Sequence, residues 1–284
     1  MLYNKRISVL IPAFNEEKAI AQVIKELPRD IVDEIVVVDN ASTDATQEVA
    51  LRSGARVVKE PRRGYGAACL RGLASIESAD IVVILDGDHS DYPEQINRLV
   101  EPIAAGRADF VIGSRILGKR EDGALTPQAY WGNKLAVFLI YILFEYKFTD
   151  MGPFRAISHE SLEKLNMSDK GFGWNAEMQI KAVRNGLKIK EVAVDYRKRI
   201  GVSKISGTFS GTIKAGIKII STIIRYSFLK NYFTCKECGL IYKQQAWAIK
   251  CEEWCAKYNS CNLEITMHAM KKQDIMTNRY RNEV

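Results

Sequence analysis

The chain lacks an uninterrupted run of about 18 apolar residues, which is the length that a helix needs to cross a bilayer. Near its first residue it also lacks the long apolar stretch and the small-residue cleavage site of a signal peptide. Internal repeats and low-complexity segments are lacking as well. These absences argue against a membrane-spanning, secreted or repeat protein, and we expect a cytoplasmic one.

The 284 residues include 41 Lys and Arg against 34 Asp and Glu, which gives a formal net charge of +7. This length allows one large α/β domain with a small appendage, and a hydrophobic fraction of 47% is enough for a sizeable core. A modest positive excess favours partners that carry phosphate: nucleotides, anionic lipid headgroups or nucleic acid. Charge alone does not choose among these partners.

Strand and helix patterns alternate over the first 120 residues. Short β-branched runs predict the strands ISVLIP (7–12), EIVVVD (34–39), ARVVKE (55–60), DIVVILD (80–86) and DFVIGS (109–114). Helical patterns lie between them, near residues 17–27, 44–53, 64–78 and 93–104. This alternation predicts an α/β fold with a mostly parallel sheet flanked by helices. Because ligands of open α/β sheets bind at the carboxyl ends of the strands, we expect the functional site there.

Two carboxylates, Asp86 and Asp88, follow the fourth predicted strand in the segment LDGDHSDYPE. Side chains two positions apart can share one face, and a pair of hard oxygen ligands suits Mg²⁺ or Mn²⁺. Asp39 ends the second predicted strand, where a carboxylate can bind ribose hydroxyls or the edge of a base. Each position also has a structural alternative, an acidic turn for the first and a helix cap for the second.

Several motifs then occur in a characteristic order: IPAFNEE, VVVDNASTD, RRGYGAA, LDGDHSDYPE, GSR, DMGPFRAIS (150–158), GFGWNAEMQIKA (171–182) and YRKRIGVSKISGT (196–208). With these motifs the chain resembles the family 2 glycosyltransferases of the GT-A fold, and more closely the dolichyl-phosphate or polyprenyl-phosphate sugar transferases. The resemblance covers about residues 5–230. It implies a GT-A domain over 1–210 that transfers a sugar, with inversion, from a nucleotide sugar to dolichyl or polyprenyl phosphate.

The resemblance also implies a role for individual residues on the donor side. It places the nucleoside against Pro12, Ala13, Glu16 and Asp39. Asp86 and Asp88 match the pair that binds the nucleotide diphosphate and the Mg²⁺ or Mn²⁺ ion, with Ser90 as a third and weaker metal ligand. The metal would neutralise the charge that develops on the departing diphosphate. Relatives use UDP-glucose or GDP-mannose, and the GPFRAI and GWNAEMQIKA segments favour UDP-glucose.

On the acceptor side, Arg115 matches a phosphate-binding arginine, and Glu177 lies where the broader family has its catalytic acidic residue. The basic loop that closes over the diphosphate corresponds to Arg199, Ser203 and Lys204. A lipid monophosphate is largely ionised at neutral pH and needs no strong base, so Glu177 would then hold acceptor-side groups or a loop. A hydroxyl acceptor would need a carboxylate base, with Glu177 the first candidate and Asp150 the second.

Two segments are candidates for contact with a membrane. LAVFLIYILFEY (135–146) is an apolar run too short to span a bilayer, and the predicted helix over 211–230 repeats Ile at helical spacing with interleaved Lys and Arg. Such a basic amphipathic helix is typical of a membrane interface. The alternative is a core-packing helix with a solvated charged face. We expect a protein that associates peripherally with the membrane.

The tail 231–284 is rich in cysteine. Cys235, Cys238, Cys251 and Cys255 follow the spacing Cys-x2-Cys-x12-Cys-x3-Cys, which is that of a two-Cys two-His zinc finger with cysteines in place of the histidines. The spacing predicts a tetrahedral structural Zn²⁺ site, and the alternative is a reduced helical tail without metal. Docking to a protein partner is the default expectation for this module.

Two other functions compete with transfer to a lipid phosphate. A family 2 transferase could act on a sugar or protein hydroxyl, and lipid extraction of the product would separate that activity from the first. A zinc-dependent binding protein without enzymatic activity is the remote alternative. Nucleic acid is not an expected partner, because the basic residues are not concentrated in the tail.

Overall fold

The computed structural model describes residues 4–201, 209–229, 233–242 and 245–270. The chain divides into two compact units, Met1–Tyr226 and Ser227–Val284. The boundary falls near the end of the helix Phe209–Phe228, so most of the predicted helix over 211–230 belongs to the first unit. The division predicted from the sequence, into a domain over 1–210, a helix over 211–230 and a tail over 231–284, stays a prediction.

The sheet of the first unit has seven strands: β1 (Ile7–Ala13), β2 (Glu34–Asp39), β3 (Arg56–Lys59), β4 (Ile81–Ile84), β5 (Phe110–Ser114), β6 (Arg155–Ser158) and β7 (Ile189–Ala193). Their order across the sheet is β3-β2-β1-β4-β6-β5-β7. β6 runs antiparallel to β4 and β5, and the other neighbouring pairs are parallel. The predicted α/β class with a mostly parallel sheet is therefore confirmed.

Helices cover both faces of this sheet. In the described part of the first unit they are α1 (Ile20–Glu26), α2 (Thr46–Arg52), α3 (Tyr65–Leu73), α4 (Ile96–Ala104), α5 (Pro127–Phe144), α6 (His159–Leu165), α7 (Trp174–Arg184) and α8 (Phe209–Phe228). Val9 and Ile11 of β1 pack in one core with α1, α2 and α4, whereas Leu10 packs in the opposite core with α3. A strand buried on both faces favours apolar side chains at nearly every position, which explains the mostly apolar ISVLIP run. Its one polar residue, Ser8, is fully buried, and its hydroxyl donates to Glu34 Oε2 at 3.1 Å.

The parallel arrangement of β1, β2 and β4 brings their carboxyl ends to one edge of the sheet. The turns that follow β1 and β4 each contain a residue with left-handed backbone, Asn15 (φ 54°) and His89 (φ 64°). These sharp turns keep the residues after each strand at the sheet edge instead of leading them away. The sheet edge is therefore where side chains from distant parts of the sequence can meet.

Two helices of the first unit expose apolar side chains. On α5, Trp131, Leu135, Phe138 and Ile142 recur at helical spacing and are each 45% to 65% exposed. On α8, Ile217 is 63% exposed, whereas other residues of that helix are buried in the core. Among the described residues, neither of these helices nor any other combines the length and the apolar character needed to cross a membrane.

The second unit is small and contains a short antiparallel pair, β8 (Phe233–Thr234) and β9 (Ile241–Tyr242), followed by α9 (Gln245–Tyr258) and α10 (Leu263–Thr266). Its core consists of Tyr242, Ala248 and three of the predicted zinc ligands, Cys235, Cys251 and Cys255. So small a core is seldom enough to hold a fold without a disulfide or a metal.

Gly72 of α3 marks the closest packing of a helix on the sheet. A Cβ atom there would lie 2.1 Å from Leu10 Cδ1 and 2.8 Å from Val38 Cγ2, and both of those side chains are fully buried. Gly72→Ala should therefore lower the free energy of unfolding by about 1–3 kcal/mol, as overpacking does in other cores. Urea unfolding followed by circular dichroism measures the change.

Gly132 of α5 is the matched control, because a Cβ atom there meets no atom within 4 Å. Gly132→Ala should leave stability unchanged or raise it by up to about 1 kcal/mol, the difference in helix propensity. Equal effects of the two substitutions would contradict the close packing of α3 on β1 and β2.

Candidate active site at the carboxyl edge of the sheet

A cavity of about 300 Å³ opens at the carboxyl edge of β1 and β4. It is lined by Pro12, Ala13, Phe14, Glu16, Asn40, Arg63, Gly64, Tyr65, Ala68, Asp86, Gly87, Asp88, Phe172 and Arg199. Six of the residues predicted for donor and diphosphate binding are in this set. Asp39 does not line the cavity, whereas its neighbour Asn40 does. The cavity thus brings together segments that are far apart in the sequence.

The carboxylates of Asp86 and Asp88 have different surroundings. The Asp86 Oδ1 atom is buried and has no hydrogen-bond partner among the described residues. Asp88 Oδ1 accepts hydrogen bonds from the backbone N–H of Ser90 (3.0 Å) and from its hydroxyl (2.5 Å). Asp88 Oδ2 lies 3.0 Å from Arg199 Nη1. One carboxylate is thus held in place by its neighbours while the other keeps a free oxygen.

Burial is the largest cause that raises the pKa of Asp86, to about 7, and the negative charge of Asp88 adds to it. The positive charge of Arg199 acts in the opposite direction and does not cancel these effects. A divalent cation would favour the ionised form of both carboxylates, and its preferred ligands are hard oxygens such as the unpartnered Asp86 Oδ1. The pair therefore suits the predicted Mg²⁺ or Mn²⁺ ion.

Ser90 is fully buried, and its hydroxyl donates to Asp88. In this arrangement Ser90 orients the carboxylate of Asp88. Its predicted role as a third metal ligand stays a prediction. Asp91, the next residue, is almost fully buried, and neither of its carboxylate oxygens has a partner among the described residues. Burial is the main cause that raises the pKa of Asp91 well above its ordinary value, and the charge of Asp86 adds to it.

Asn40 shapes one wall of the cavity. Its Nδ2 atom donates to the carbonyl oxygens of Glu60 (3.2 Å) and Arg62 (2.7 Å), and its Oδ1 atom accepts from the N–H of Gly64 (2.8 Å). The side chain thus ties the loop before α3 to the end of β2. Asp39 Oδ1 accepts a hydrogen bond from the N–H of Ser42 at 3.1 Å. This contact stabilises a turn and does not cap a helix, because α2 begins only at Thr46 with Ala45 as its N-cap.

Three further cavity residues were not predicted as site residues. The guanidinium carbon of Arg63 lies 3.7 Å from the centre of the Phe14 ring, so a cation and an aromatic face form one wall. The buried hydroxyl of Tyr65 lies near Asp86 without completing a hydrogen bond. Arg63 and Tyr65 belong to the RRGYG segment, whose glycines next to aromatic and basic residues were the available signal.

A polar clamp holds the turn that carries the carboxylate pair. His89 Nε2 lies 2.8 Å from Glu26 Oε1 at the end of α1. Arg197 donates from Nε to the carbonyl oxygen of His89 (2.8 Å) and is also paired with Glu26. Two residues beyond Arg197, Arg199 bridges Asp88 and Glu16, with Nη2 at 3.1 Å from Glu16 Oε1. The segment 197–199 therefore fastens the cavity from one side.

Arg115 does not line the cavity. Its guanidinium group forms a bidentate salt bridge with Asp150, with Nε donating to Oδ2 and Nη2 donating to Oδ1, both at 2.8 Å. The backbone N–H of Arg115 donates to the same carboxylate. The guanidinium carbon also lies 5.1 Å from the centre of the Tyr196 ring. Its predicted role in binding the acceptor phosphate stays a prediction. Asp150 is fully buried and occupied by this arginine, which makes it a poor general base.

Glu177 is fully buried on α7 and does not line the cavity. Burial works to raise its pKa, but hydrogen bonds from Lys181 and Ser168 outweigh that effect and lower it. The carboxylate is already surrounded by donors, so it is better suited to hold a loop than to accept a proton. This placement agrees with the loop-holding role expected for a phosphate acceptor, and a catalytic role stays a prediction.

A second chemical site lies in the second unit. The sulfur atoms of Cys235, Cys238, Cys251 and Cys255 all lie within 4.8 Å of one another. Cys238 and Cys251 are 3.5 Å apart, and Cys251 and Cys255 are 3.8 Å apart. Four thiolates around Zn²⁺ at about 2.3 Å stand about 3.8 Å from one another, so the cluster has the size of a tetrahedral zinc site.

An α/β sheet of this order, with a pair of carboxylates beside a nucleotide-sized cavity, defines a nucleotide-sugar-dependent transferase of the GT-A fold. Residues 8–165 match the model of Glycosyl transferase family 2, and the chain belongs to this family. The predicted fold and the enzyme class are confirmed, and so is the family part of the resemblance.

Three relatives illustrate the range of acceptors. Polyprenol monophosphomannose synthase of Mycolicibacterium smegmatis is 30% identical over 72% of this chain and 82% of its own length. A UDP-N-acetylglucosamine–dolichyl-phosphate N-acetylglucosaminyltransferase of Methanococcus voltae is 29% identical over 67% and 85%. The structure of Mycobacterium tuberculosis glucosyl-3-phosphoglycerate synthase with Mn²⁺, UDP-glucose and phosphoglyceric acid superposes with a TM-score of 0.66, at 29% identity, over 79% of this chain and 80% of that one.

The raised pKa of Asp86 predicts how stability depends on pH without metal. The folded state binds the proton more tightly than the unfolded chain, so stability falls as the pH rises from about 4 through about 7. Asp86→Asn removes the buried charge and should raise the stability of the metal-free protein at pH 8 by on the order of 1–3 kcal/mol. The gain should vanish below about pH 4, where the carboxyl group of Asp86 is neutral in both the folded and the unfolded protein.

Thermal melts in EDTA at several pH values measure this effect, with the exposed Asp122→Asn as control. Adding Mn²⁺ should raise the melting temperature of the wild type and not that of Asp86→Asn. A variant that is less stable than the wild type at pH 8 would show that Asp86 is not an unsatisfied buried charge.

Proposed function

We propose that the protein transfers a hexose from a nucleotide sugar to a polyprenyl or dolichyl phosphate at a membrane surface, with inversion. The observation that carries the proposal is that a cavity lined by two carboxylates and an arginine lies on the same unit as an exposed apolar helix face. Asp86, Asp88 and Arg199 provide the first, and the stripe on α5 provides the second. Two of the relatives compared above act on polyprenyl or dolichyl phosphates by name.

The surroundings of the acidic residues favour a phosphate acceptor. A phosphate monoester is largely ionised at neutral pH and can attack the anomeric carbon without a general base. Glu177 and Asp150 are both buried and engaged by cationic partners, so neither is free to remove a proton from a hydroxyl. The catalytic contribution then consists of positioning the two phosphate-bearing substrates and stabilising the diphosphate that leaves.

The exposed face of α5 supports a membrane location. Trp131, Leu135, Phe138 and Ile142 form a stripe that water solvates poorly. Lys134 lies beside it, with Nζ 5.1 Å from the centre of the Trp131 ring, and can reach an anionic headgroup. The exposed Ile217 of α8 extends the apolar surface of the first unit. A lipid acceptor gives a reason for such a surface, because its chain stays in the bilayer during the reaction.

The donor we propose first is UDP-glucose, with GDP-mannose second. The structural neighbour was solved with UDP-glucose and Mn²⁺, and one relative is a mannose transferase by name. The same neighbour holds phosphoglyceric acid, which makes a small phosphorylated acid the second candidate acceptor. The two candidates share a phosphate on the acceptor and differ in whether the product enters the lipid fraction.

Incubation with radiolabelled donor and vesicles containing polyprenyl phosphate tests the proposal. Label should move into the organic phase with Mn²⁺ and not with EDTA. Phe138→Ser combined with Ile142→Ser should slow transfer in vesicles by about tenfold or more, because each side chain loses its apolar burial. Transfer to a short water-soluble prenyl phosphate should not change.

Leu51→Ser is the matched control, since Leu51 is 51% exposed on α2, which packs on the opposite face of the sheet. It should leave transfer in vesicles unchanged. Label that stays in the aqueous phase and appears only when phosphoglyceric acid is supplied would overturn the lipid acceptor in favour of the second candidate.

For the second unit we propose one structural Zn²⁺ bound by Cys235, Cys238, Cys251 and Cys255. The closeness of the four sulfur atoms supports this, and Cys261 and His268 lie outside the cluster. His268 instead stacks on Trp247, with ring centres 3.6 Å apart. Such a module gains its folding free energy from the metal. Docking of a protein partner remains the role we propose for it.

Elemental analysis should find about one zinc per purified chain. Cys251→Ser should lower that content and make the tail sensitive to protease, whereas Cys261→Ser should do neither. Zinc at wild-type level in Cys251→Ser, or an ordered tail in a metal-free wild type, would reject the site.

A further inference from the structure

The loop 168–173 lies between the first turn of α3 and helix α8. On one side the N–H groups of Ala67 and Gly66 donate to the carbonyl oxygens of Lys170 (3.0 Å) and Gly171 (3.2 Å). On the other side Lys218 of α8 places its Nζ atom 2.8 Å from Asp169 Oδ2. The loop therefore connects a helix that borders the cavity with a helix that does not.

Both contacts are too close to absorb movement. A Cβ atom on Gly66 would lie 2.0 Å from the carbonyl oxygen of Asp169, and one on Gly64 would lie 2.2 Å from that of Lys170. At the end of the loop, a Cβ atom on Gly173 would lie 2.3 Å from Thr222 Oγ1 of α8. The loop is therefore packed closely against α3 on one side and against α8 on the other.

Hydrogen bonds to the carboxylate of Glu177 hold the start of the loop in place. The carboxylate accepts from the N–H of Ser168 (3.0 Å), the hydroxyl of Ser168 (2.7 Å) and the N–H of Asp169 (2.7 Å). It also accepts from the hydroxyl of Tyr226 on α8 (2.7 Å) and lies 2.8 Å from Lys181 Nζ. One fully buried carboxylate thus joins the loop, α7 and α8.

The loop reaches the cavity through Phe172, and α3 reaches it through Tyr65. We infer that Glu177 is a positioning residue: it holds loop 168–173 against α3, so that the seating of α8 sets the affinity of the cavity for the sugar nucleotide. The inference rests on the proposed function for the identity of the ligand. It extends the loop-holding role expected for a phosphate acceptor and differs from the role expected for a hydroxyl acceptor, in which Glu177 removes a proton.

Titration calorimetry with UDP-glucose and Mn²⁺ distinguishes the two roles. Glu177→Gln removes one acceptor oxygen and should raise the dissociation constant about tenfold, while kcat at saturating donor stays within about threefold. Tyr226→Phe removes one hydroxyl, is nearly isosteric, and should shift the dissociation constant in the same direction by a smaller factor. The exposed Glu163→Gln on α6 is the matched control and should change neither quantity.

A general base would behave in the opposite way. Glu177→Gln would then lower kcat by more than about a hundredfold with donor affinity unchanged, and Tyr226→Phe would be neutral. That result would overturn the inference. Hydrogen exchange of the protein without nucleotide sugar tests whether α8 and Glu177 hold the loop against α3. Tyr226→Phe should speed amide exchange in segments 168–173 and 64–68.

Unchanged exchange in both segments would also overturn the inference, even in a variant that folds normally. If the wild type binds neither UDP-glucose nor GDP-mannose, the proposed function fails. The exchange measurement still decides whether Glu177 and α8 hold the loop, so the two failures are distinguishable.

Discussion

The burial of two neighbouring carboxylates, Asp86 and Asp88, at the edge of the sheet is the constraint on which the rest of this structure depends. Burial and the negative charge of Asp88 both disfavour the ionised form of Asp86, and contacts from several segments of the chain hold the pair in place. Arg199 offsets part of the charge, Ser90 orients one carboxylate, and the clamp of Glu26 and Arg197 holds the turn. Strain and unsatisfied charge of this kind are typical of functional sites.

The sheet explains why these groups meet. β1, β2 and β4 are parallel and buried on both faces, so their carboxyl ends form one edge. The antiparallel β6 then carries the chain back between β4 and β5. Asp150, in the segment that leads into β6, holds Arg115 just after the end of β5. Arg115 and the Asp86 and Asp88 pair therefore follow two strands, β5 and β4, that lie on either side of β6.

Much of the fold could be predicted from the sequence because the first strands contain short β-branched apolar runs and are separated by helical patterns. The predicted strands at 7–12, 34–39 and 109–114 correspond to β1, β2 and β5. The antiparallel direction of β6 could not be predicted, since RAIS is short and its direction depends on how the chain returns from α5. Strand patterns specify which residues pair, and the connections specify their direction.

The candidate site was predictable where a residue follows a strand directly and not where it depends on tertiary contacts. Asp86 and Asp88 were evident from their position after an apolar strand. Asn40 and Arg63 were missed, because an amide that ties a loop and an arginine that stacks on Phe14 have no local pattern. The surroundings of Glu177 could not be predicted from the sequence either, since its hydrogen-bond donors come from α8 and from the loop before α7.

The central claim is that the carboxylate pair binds a divalent metal together with a nucleotide diphosphate. Crystals grown with Mn²⁺ and UDP, measured at a wavelength where manganese scatters anomalously, test it most directly. The account predicts one strong peak within coordination distance of both Asp86 and Asp88 that bridges to the diphosphate, and no such peak in Asp88→Ala. A nucleotide bound with full occupancy and no metal at the pair would contradict it.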